Sequence, residues 1–342
     1  MKKLLNTLYI TTQETYLHRD GETAVVRKGD EVLIQIPIHT LEGLVCIGRV
    51  SVSPPLMGLC AERGVGLSFF TENGRFLARV SGPVAGNVLL RREQYRVADD
   101  GPRASRIAQA VVMAKIANSR TVLMRGARER EPRPAELDEA SRKLALSLER
   151  LLSTGESVDR LRGIEGDCAR TYFSVFDKLI LANRDDFQFG GRTRRPPLDS
   201  VNALLSFVYT LLVHDVSGAL EAVGLDPYVG YLHSDRPGRP SLALDLMEEL
   251  RPVVADRMVL SLINRQQVTG KGFIRTESGA VRMADEVRKD VLLAWQKRKQ
   301  ETVQHPFIGE TVPIGLIPFV QAQLLARHLR GDLDAYPAMV WR

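Results

Sequence analysis

The spacing of apolar residues changes period once along the chain. From Leu4 to about Val80, Val, Ile, Thr, Tyr and Phe come in short runs broken by turn residues, which is the pattern of strands. Asp20-Gly21 joins two such runs and Lys28-Gly29-Asp30 precedes a third, Glu31 to Ile38, so a meander of hairpins is expected. Ser53-Pro54-Pro55 offers a capping hydroxyl followed by proline at the first helical position, and Gly64 offers a stop, predicting a short helix over 54–63. Two more strands, Val65 to Phe70 and Arg75 to Val80, are separated by Glu72-Asn73-Gly74. After Ser81-Gly82-Pro83 the period becomes 3.6, and helices are predicted over about 86–97, 103–122, 134–152, 156–183, 199–223, 241–268, 278–302 and 314–330, the sixth kinked or broken at Pro252. The pattern predicts an α+β protein: a small β-rich N-terminal domain over 1–82 and a larger all-α C-terminal domain over 83–342.

Two helical stretches carry more than a core face. The helix expected from Ser241, its N-cap by residue type, has Leu242, Ala243, Leu246, Met247 and Leu250 on one arc and Asp245, Glu248 and Glu249 on the other. His233 stands just upstream, before a loop rich in Pro, Gly and Arg from Ser234 to Pro240. Within 156–183, Glu165 lies between Gly163 and Gly166, beside a core-facing stripe of Ile164, Cys168, Tyr172 and Val175. Each helical glycine costs about 1 kcal/mol relative to alanine. Either another backbone packs closely there, or the surface leaves room for a substrate or metal at Glu165.

Composition narrows the class. With 342 residues and 44% hydrophobic content the chain has enough apolar material for real cores. The net charge of +6 is modest, but arginines gather in two connections: Arg125, Arg128, Arg130 and Arg133, then Arg192, Arg194 and Arg195 beside Gly190-Gly191. Guanidinium forks suit phosphate oxygens, so DNA or another nucleic acid is the first partner to consider, with Arg192, Arg194 and Arg195 as backbone contacts. Three widely spaced cysteines, Cys46, Cys60 and Cys168, favour neither a disulfide framework nor a zinc knuckle, and a reducing cytoplasm fits them. Asn6, Thr7 and Thr11 interrupt the opening apolar run, and Val201 to Val213 is too short and polar to span a bilayer, so neither secretion nor a membrane is expected.

Glu165, His233 and one carboxylate of the 245–249 segment together offer two acids and an imidazole, a donor set for one hard six-coordinate cation, Mg²⁺ or Mn²⁺. Zinc is disfavoured because no paired Cys or His spacing occurs. Such an ion suits phosphodiester chemistry. His214-Asp215 is expected to end its helix, and His18, His39, His305 and His328 have no clustered ligands around them. Without a catalytic metal the same features would describe a DNA-binding scaffold, whose binding weakens with salt and yields no product.

Three blocks sharpen this. GIEGDCARTYF around Glu165, RTRRPPLDSVNALLSFVYTLL from Arg192, and GYLHSDRPGRPSLALDLMEELRP from Gly230 resemble, in order, the signature blocks of the CRISPR-associated endonuclease and integrase of spacer acquisition, the first universal Cas protein, most like its subtype I-C members. The resemblance implies an N-terminal β domain for dimerisation and a helical domain holding one divalent metal on a glutamate, a histidine and a later acid. By motif these fall on Glu165, His233 and Glu248, with Asp245 as a nearby helper or second-choice ligand. It also implies a homodimer, and two such dimers bridged by a small companion Cas protein, capturing a foreign DNA fragment and joining its 3′ ends into the repeat array.

Overall fold

The structure is a computed structural model that describes residues 7–341 apart from 42, 72–75, 81, 83–87, 129 and 154. The chain divides into two compact units, Met1–Gly86 and Asn87–Arg342. The start at Leu4, the Glu72-Asn73-Gly74 turn, Arg75, and the break expected at Ser81 and Pro83 lie outside the described residues.

In the first unit the expected hairpins are present: β2 (Thr15–Asp20), β3 (Thr23–Lys28) and β4 (Glu31–Pro37) run antiparallel, with Gly21 and Gly29 supplying the left-handed turn positions at φ 57° and 58°. The meander extends no further. β1 (Thr7–Ile10), β5 (Gly43–Ile47) and β7 (Gly66–Phe70) pair in parallel, as do β2 and β6 (Val50–Val52). The result is two four-stranded sheets, in the orders β1-β5-β7-β8 (β8 is Phe76–Val80) and β4-β3-β2-β6. Period-two patterning marks a strand but not its partner, which is why the crossovers were not foreseen. The helix α1 (Pro54–Arg63) begins as expected: the Ser53 hydroxyl accepts from the Leu56 amide, and Gly64 closes it at φ 68°. Leu17, Leu44, Leu56, Leu59 and Leu67 fill the core of this unit.

The second unit is mostly helical: α2 (Val88–Asp99), α3 (Gly101–Arg128), α4 (Ala135–Ser153), α5 (Val158–Ser174), α6 (Ser200–Ala222), α7 (Ser241–Leu250), α8 (Arg257–Asn264), α9 (Asp285–Gln300) and α10 (Ile317–Leu329). It is not all-α. Two short antiparallel hairpins, β9 (Phe273–Arg275) with β10 (Val281–Met283) and β11 (Thr302–Gln304) with β12 (Thr311–Pro313), interrupt it. The first takes the start of the stretch expected to be helical from residue 278, since Gly279 turns left-handed at φ 80° and the helix begins only at Asp285. Pro252 does not break its helix. The chain widens there into a π-helical stretch, Arg251–Asp256, which absorbs the missing amide and continues into α8. α6 is long and apolar enough to cross a membrane by length and composition, but 61% of its apolar window is buried inside the protein. It also runs past His214-Asp215, so that pair lies mid-helix, with Asp215 meeting Lys299 Nζ at 2.8 Å. All three cysteines are free and buried.

The C-terminal segment is tied across α3 and α7. Asn118 of α3 donates to the Glu249 carbonyl (2.7 Å) and the Met339 carbonyl (2.8 Å), and accepts from the Trp341 amide (2.7 Å). The fully buried Glu249 carboxylate receives the Tyr336 hydroxyl, the Met339 amide and Gln321 Nε2. Burial outweighs those hydrogen bonds and pushes the Glu249 carboxyl up to about 7. A carboxyl raised in the fold stabilises below its unfolded pKa, and that contribution is lost as pH climbs through the folded value. From the ordinary 4.5 to about 7 the gap corresponds to roughly 3 kcal/mol. Glu249→Gln should therefore reduce the fall in unfolding midpoint expected of the natural chain between about pH 5 and pH 7, with buried Asp256, raised to about 6, accounting for part of it at the lower end. Thermal unfolding across that range checks this; equal slopes for both proteins would contradict it.

A candidate metal centre on three helices

His233 is positioned by one carboxylate. Asp245, in the second turn of α7 and only 1% exposed, accepts the backbone amides of Tyr231 (2.6 Å) and Leu232 (2.9 Å) on Oδ2, and that of His233 (2.9 Å) on Oδ1. The same Oδ1 lies 2.7 Å from His233 Nδ1. An ionised carboxylate only accepts, so the network assigns the ring proton to Nδ1 and leaves the Nε2 lone pair facing the site. Gly230 permits the close approach, because a Cβ there would meet Asp245 Oδ2 at 2.8 Å and the Ser241 backbone at the same distance. Ser241 is not the cap: Pro240 occupies that position, and the Ser241 hydroxyl donates to the Ser234 carbonyl (3.1 Å), pinning the loop instead.

Glu248 lies one turn further along α7, with its side chain 3% exposed and Oε1 3.8 Å from His233 Nε2. Donors at roughly 2.0–2.6 Å from one ion are themselves roughly 3–5 Å apart, so this pair is within range of a shared cation. Two side chains hold its charge. Arg251 Nη1 is 2.7 Å from Oε1 and Lys115 Nζ of α3 is 2.6 Å from Oε2. Burial alone would raise the carboxyl, but the charges of Arg251 and Lys115 outweigh it and hold it well below the ordinary carboxylate range.

Glu165 arrives from α5, which Ser157 caps by accepting from the Arg160 amide. Its Oε1 contacts the same Lys115 Nζ, so a single ammonium touches both carboxylates. A Cβ built on Gly163 or Gly166 meets nothing within 4 Å, which removes close backbone packing as the reason for those glycines. Glu165 and Glu248 thus meet at one ammonium and His233 lies beside Glu248, although among the described residues no ready-formed cluster of three metal-binding side chains is present. The donor chemistry suits a hard divalent ion: two carboxylates and an imidazole nitrogen whose partner nitrogen is fixed as N–H. Asp245, by contrast, has both oxygens engaged by amides and the ring.

The arginines separate. Arg192 turns inward, donating to Asn202 Oδ1 (2.7 Å) and Ser206 (3.2 Å) with its guanidinium 5.3 Å from the Tyr209 ring centre, and is only partly exposed. Arg194 and Arg195 stay exposed. Arg239, on the loop after His233, has its pKa lowered by burial and by the neighbouring charges of Arg236, Arg162 and Arg194, so these basic groups lie within electrostatic range of one another. A cleft of about 410 Å³ opens beside His233, lined by Tyr95, Asp99, Arg162, Tyr231 and Ser234 among others. A larger depression of about 780 Å³ near Leu181 and Leu293 contains none of the site acids. Lys115 and Arg251 were missed in the sequence. The signal for Lys115 was there: one lysine inside the apolar run VVMAKIA.

Comparison with known proteins agrees with the signature blocks. The family model for CRISPR associated protein Cas1 matches residues 8–297. A CRISPR-associated endonuclease Cas1 of Chlorobaculum tepidum is 51% identical over 344 residues, covering all of both chains. Among solved structures, a casposase bound to integration product superposes with a TM-score of 0.85 at 23% identity, over 99% of this chain and 95% of that one. A Cas6-RT-Cas1–Cas2 complex gives 0.83 at 24%, over 100% of this chain and 36% of the longer one. The family model and the full-length relative establish that this chain belongs to the CRISPR-associated Cas1 family.

Proposed function

We propose that this chain is a DNA endonuclease and integrase of CRISPR spacer acquisition, using one Mg²⁺ or Mn²⁺ held by Glu165, His233 and Glu248. The observation that carries this is the convergence of Glu165 and Glu248, from two helices, on one ammonium beside His233. When bound, the ion would activate a water or a 3′-hydroxyl and neutralise charge growing on the phosphate. Asp245 keeps the His233 ring in the Nδ1–H form, so Nε2 is the nitrogen presented. Arg194 and Arg195, together with Arg236 and Arg239, supply positive charge for the DNA backbone, and Arg192 supports them from inside.

The relative from Chlorobaculum tepidum is named an endonuclease, and the casposase was captured with an integration product; both chemistries fit a site with two acids, one imidazole and a basic rim. The partners follow the same reading: foreign DNA, the CRISPR repeat, a second copy of the chain and the companion Cas2. Support for dimerisation through the β-rich unit is the exposed apolar run Val32, Leu33 and Ile34 (50, 42 and 39% exposed) on the edge strand β4. The motif blocks support a subtype I-C member, and the three free cysteines support a reducing cytoplasm.

Glu165→Ala, His233→Ala and Glu248→Ala should each lower Mn²⁺-dependent cleavage and strand transfer on branched DNA by at least about 100-fold. Full activity in all three, or activity that survives chelation, would refute the site. Asp245→Asn should cost about 10- to 100-fold by freeing the ring, measured in the same assay. Arg194→Ala and Arg195→Ala should weaken DNA binding across sequences and reduce the salt slope by about 1 each. An unchanged slope would remove them as phosphate contacts.

A further inference from the structure

Lys115 stands between the two carboxylates proposed to hold the ion. It sits on α3 among Val111, Val112, Ala114 and Ile116, all buried, with its own side chain 11% exposed. Burying an ammonium among such neighbours is unfavourable unless it is paired. Its Nζ is paired twice, to Glu165 Oε1 and, at 2.6 Å, to Glu248 Oε2. Arg251 already balances Glu248 from the other side at 2.7 Å, which leaves Lys115 as the link between the two acids.

A doubly charged ion bound through those same carboxylates meets the ammonium at close range. In a partly buried site the repulsion between the two cations is too strong for both to keep the same oxygens. We infer that Lys115 is a tethered counter-cation which a divalent ion must displace from Glu165 and Glu248, so that metal binding in this chain is an exchange of cations. The inference rests on the assignment of those carboxylates as metal ligands. The lysine holds two mutually repelling acids together and sets the threshold of metal concentration at which the site fills. Once displaced, its ammonium remains on α3 beside the site, where a phosphate oxygen is the partner of matching charge.

Lys115→Met keeps most of the apolar stem and removes the charge. In full-length, chelator-treated protein, calorimetric titration with Mn²⁺ should show binding about tenfold or more tighter than in the natural chain. The unfolding midpoint without metal should be lower in the variant, and its rise on adding Mn²⁺ larger. Mn²⁺ affinity that is unchanged or weaker in Lys115→Met would overturn the exchange. Should that variant fail to fold, Lys115→Gln, expressed with Mn²⁺ and then stripped, is read by the same sign of the affinity change. If the natural chain binds no Mn²⁺, the metal assignment itself falls. If it binds Mn²⁺ with an affinity blind to residue 115, only the exchange falls.

Discussion

Two carboxylates meeting in a largely buried place is the constraint on which the site depends. Glu248 is 3% exposed and Glu165 23%, and without compensation their repulsion and desolvation would push α5 and α7 apart. Compensation comes from two directions, Lys115 on α3 and Arg251 at the start of the π-helical turn. The widened turn has a role in this. It continues the chain past Pro252 while Arg251 stays against Glu248 and its guanidinium lies 4.9 Å from the Tyr209 ring centre. That ring also stacks with Arg192, so the inward-facing arginine of the basic loop and the acid of the site share one buried support.

Around this charge cluster the backbone is fixed by polar side chains rather than by regular ladders. Asp245 gathers three consecutive amides and an imidazole, turning the stretch before the Pro/Gly/Arg loop into a rigid mount for His233. Asn118, one turn along α3 from Lys115, secures the C-terminal segment that also closes over Glu249. Neighbouring acids on α7 thus have opposite fates: Glu248 is kept charged by cations, and Glu249 is pushed toward the neutral form by burial. The acidic side of this helix is almost wholly inside the protein, not a solvated face.

Much of this was legible in the chain itself. The change of period separated a strand-rich region from a mostly helical one, and the capping signals at Ser53 and Gly64 gave α1 its ends. The motif blocks led to Glu165, His233 and Glu248; of these the fold brings the two glutamates to one ammonium and sets His233 beside Glu248. What escaped depends on contacts between distant residues. Parallel pairing of β1, β5 and β7 leaves no mark in local alternation. Arg192 looked like its neighbours Arg194 and Arg195 until Asn202 and Tyr209, ten and more residues on, drew it inward. Lys115 lies far from the motifs in sequence, and only tertiary packing shows what it faces.

The central claim is that Glu165, His233 Nε2 and Glu248 share one divalent ion. A crystal of the full chain grown with Mn²⁺, with data collected at the manganese absorption edge, tests it most directly. The account predicts a single anomalous peak within about 2.0–2.6 Å of an oxygen of Glu165, of His233 Nε2 and of an oxygen of Glu248. A peak held by Asp245 in place of Glu248, or Mn²⁺ bound only away from these three side chains, would contradict it.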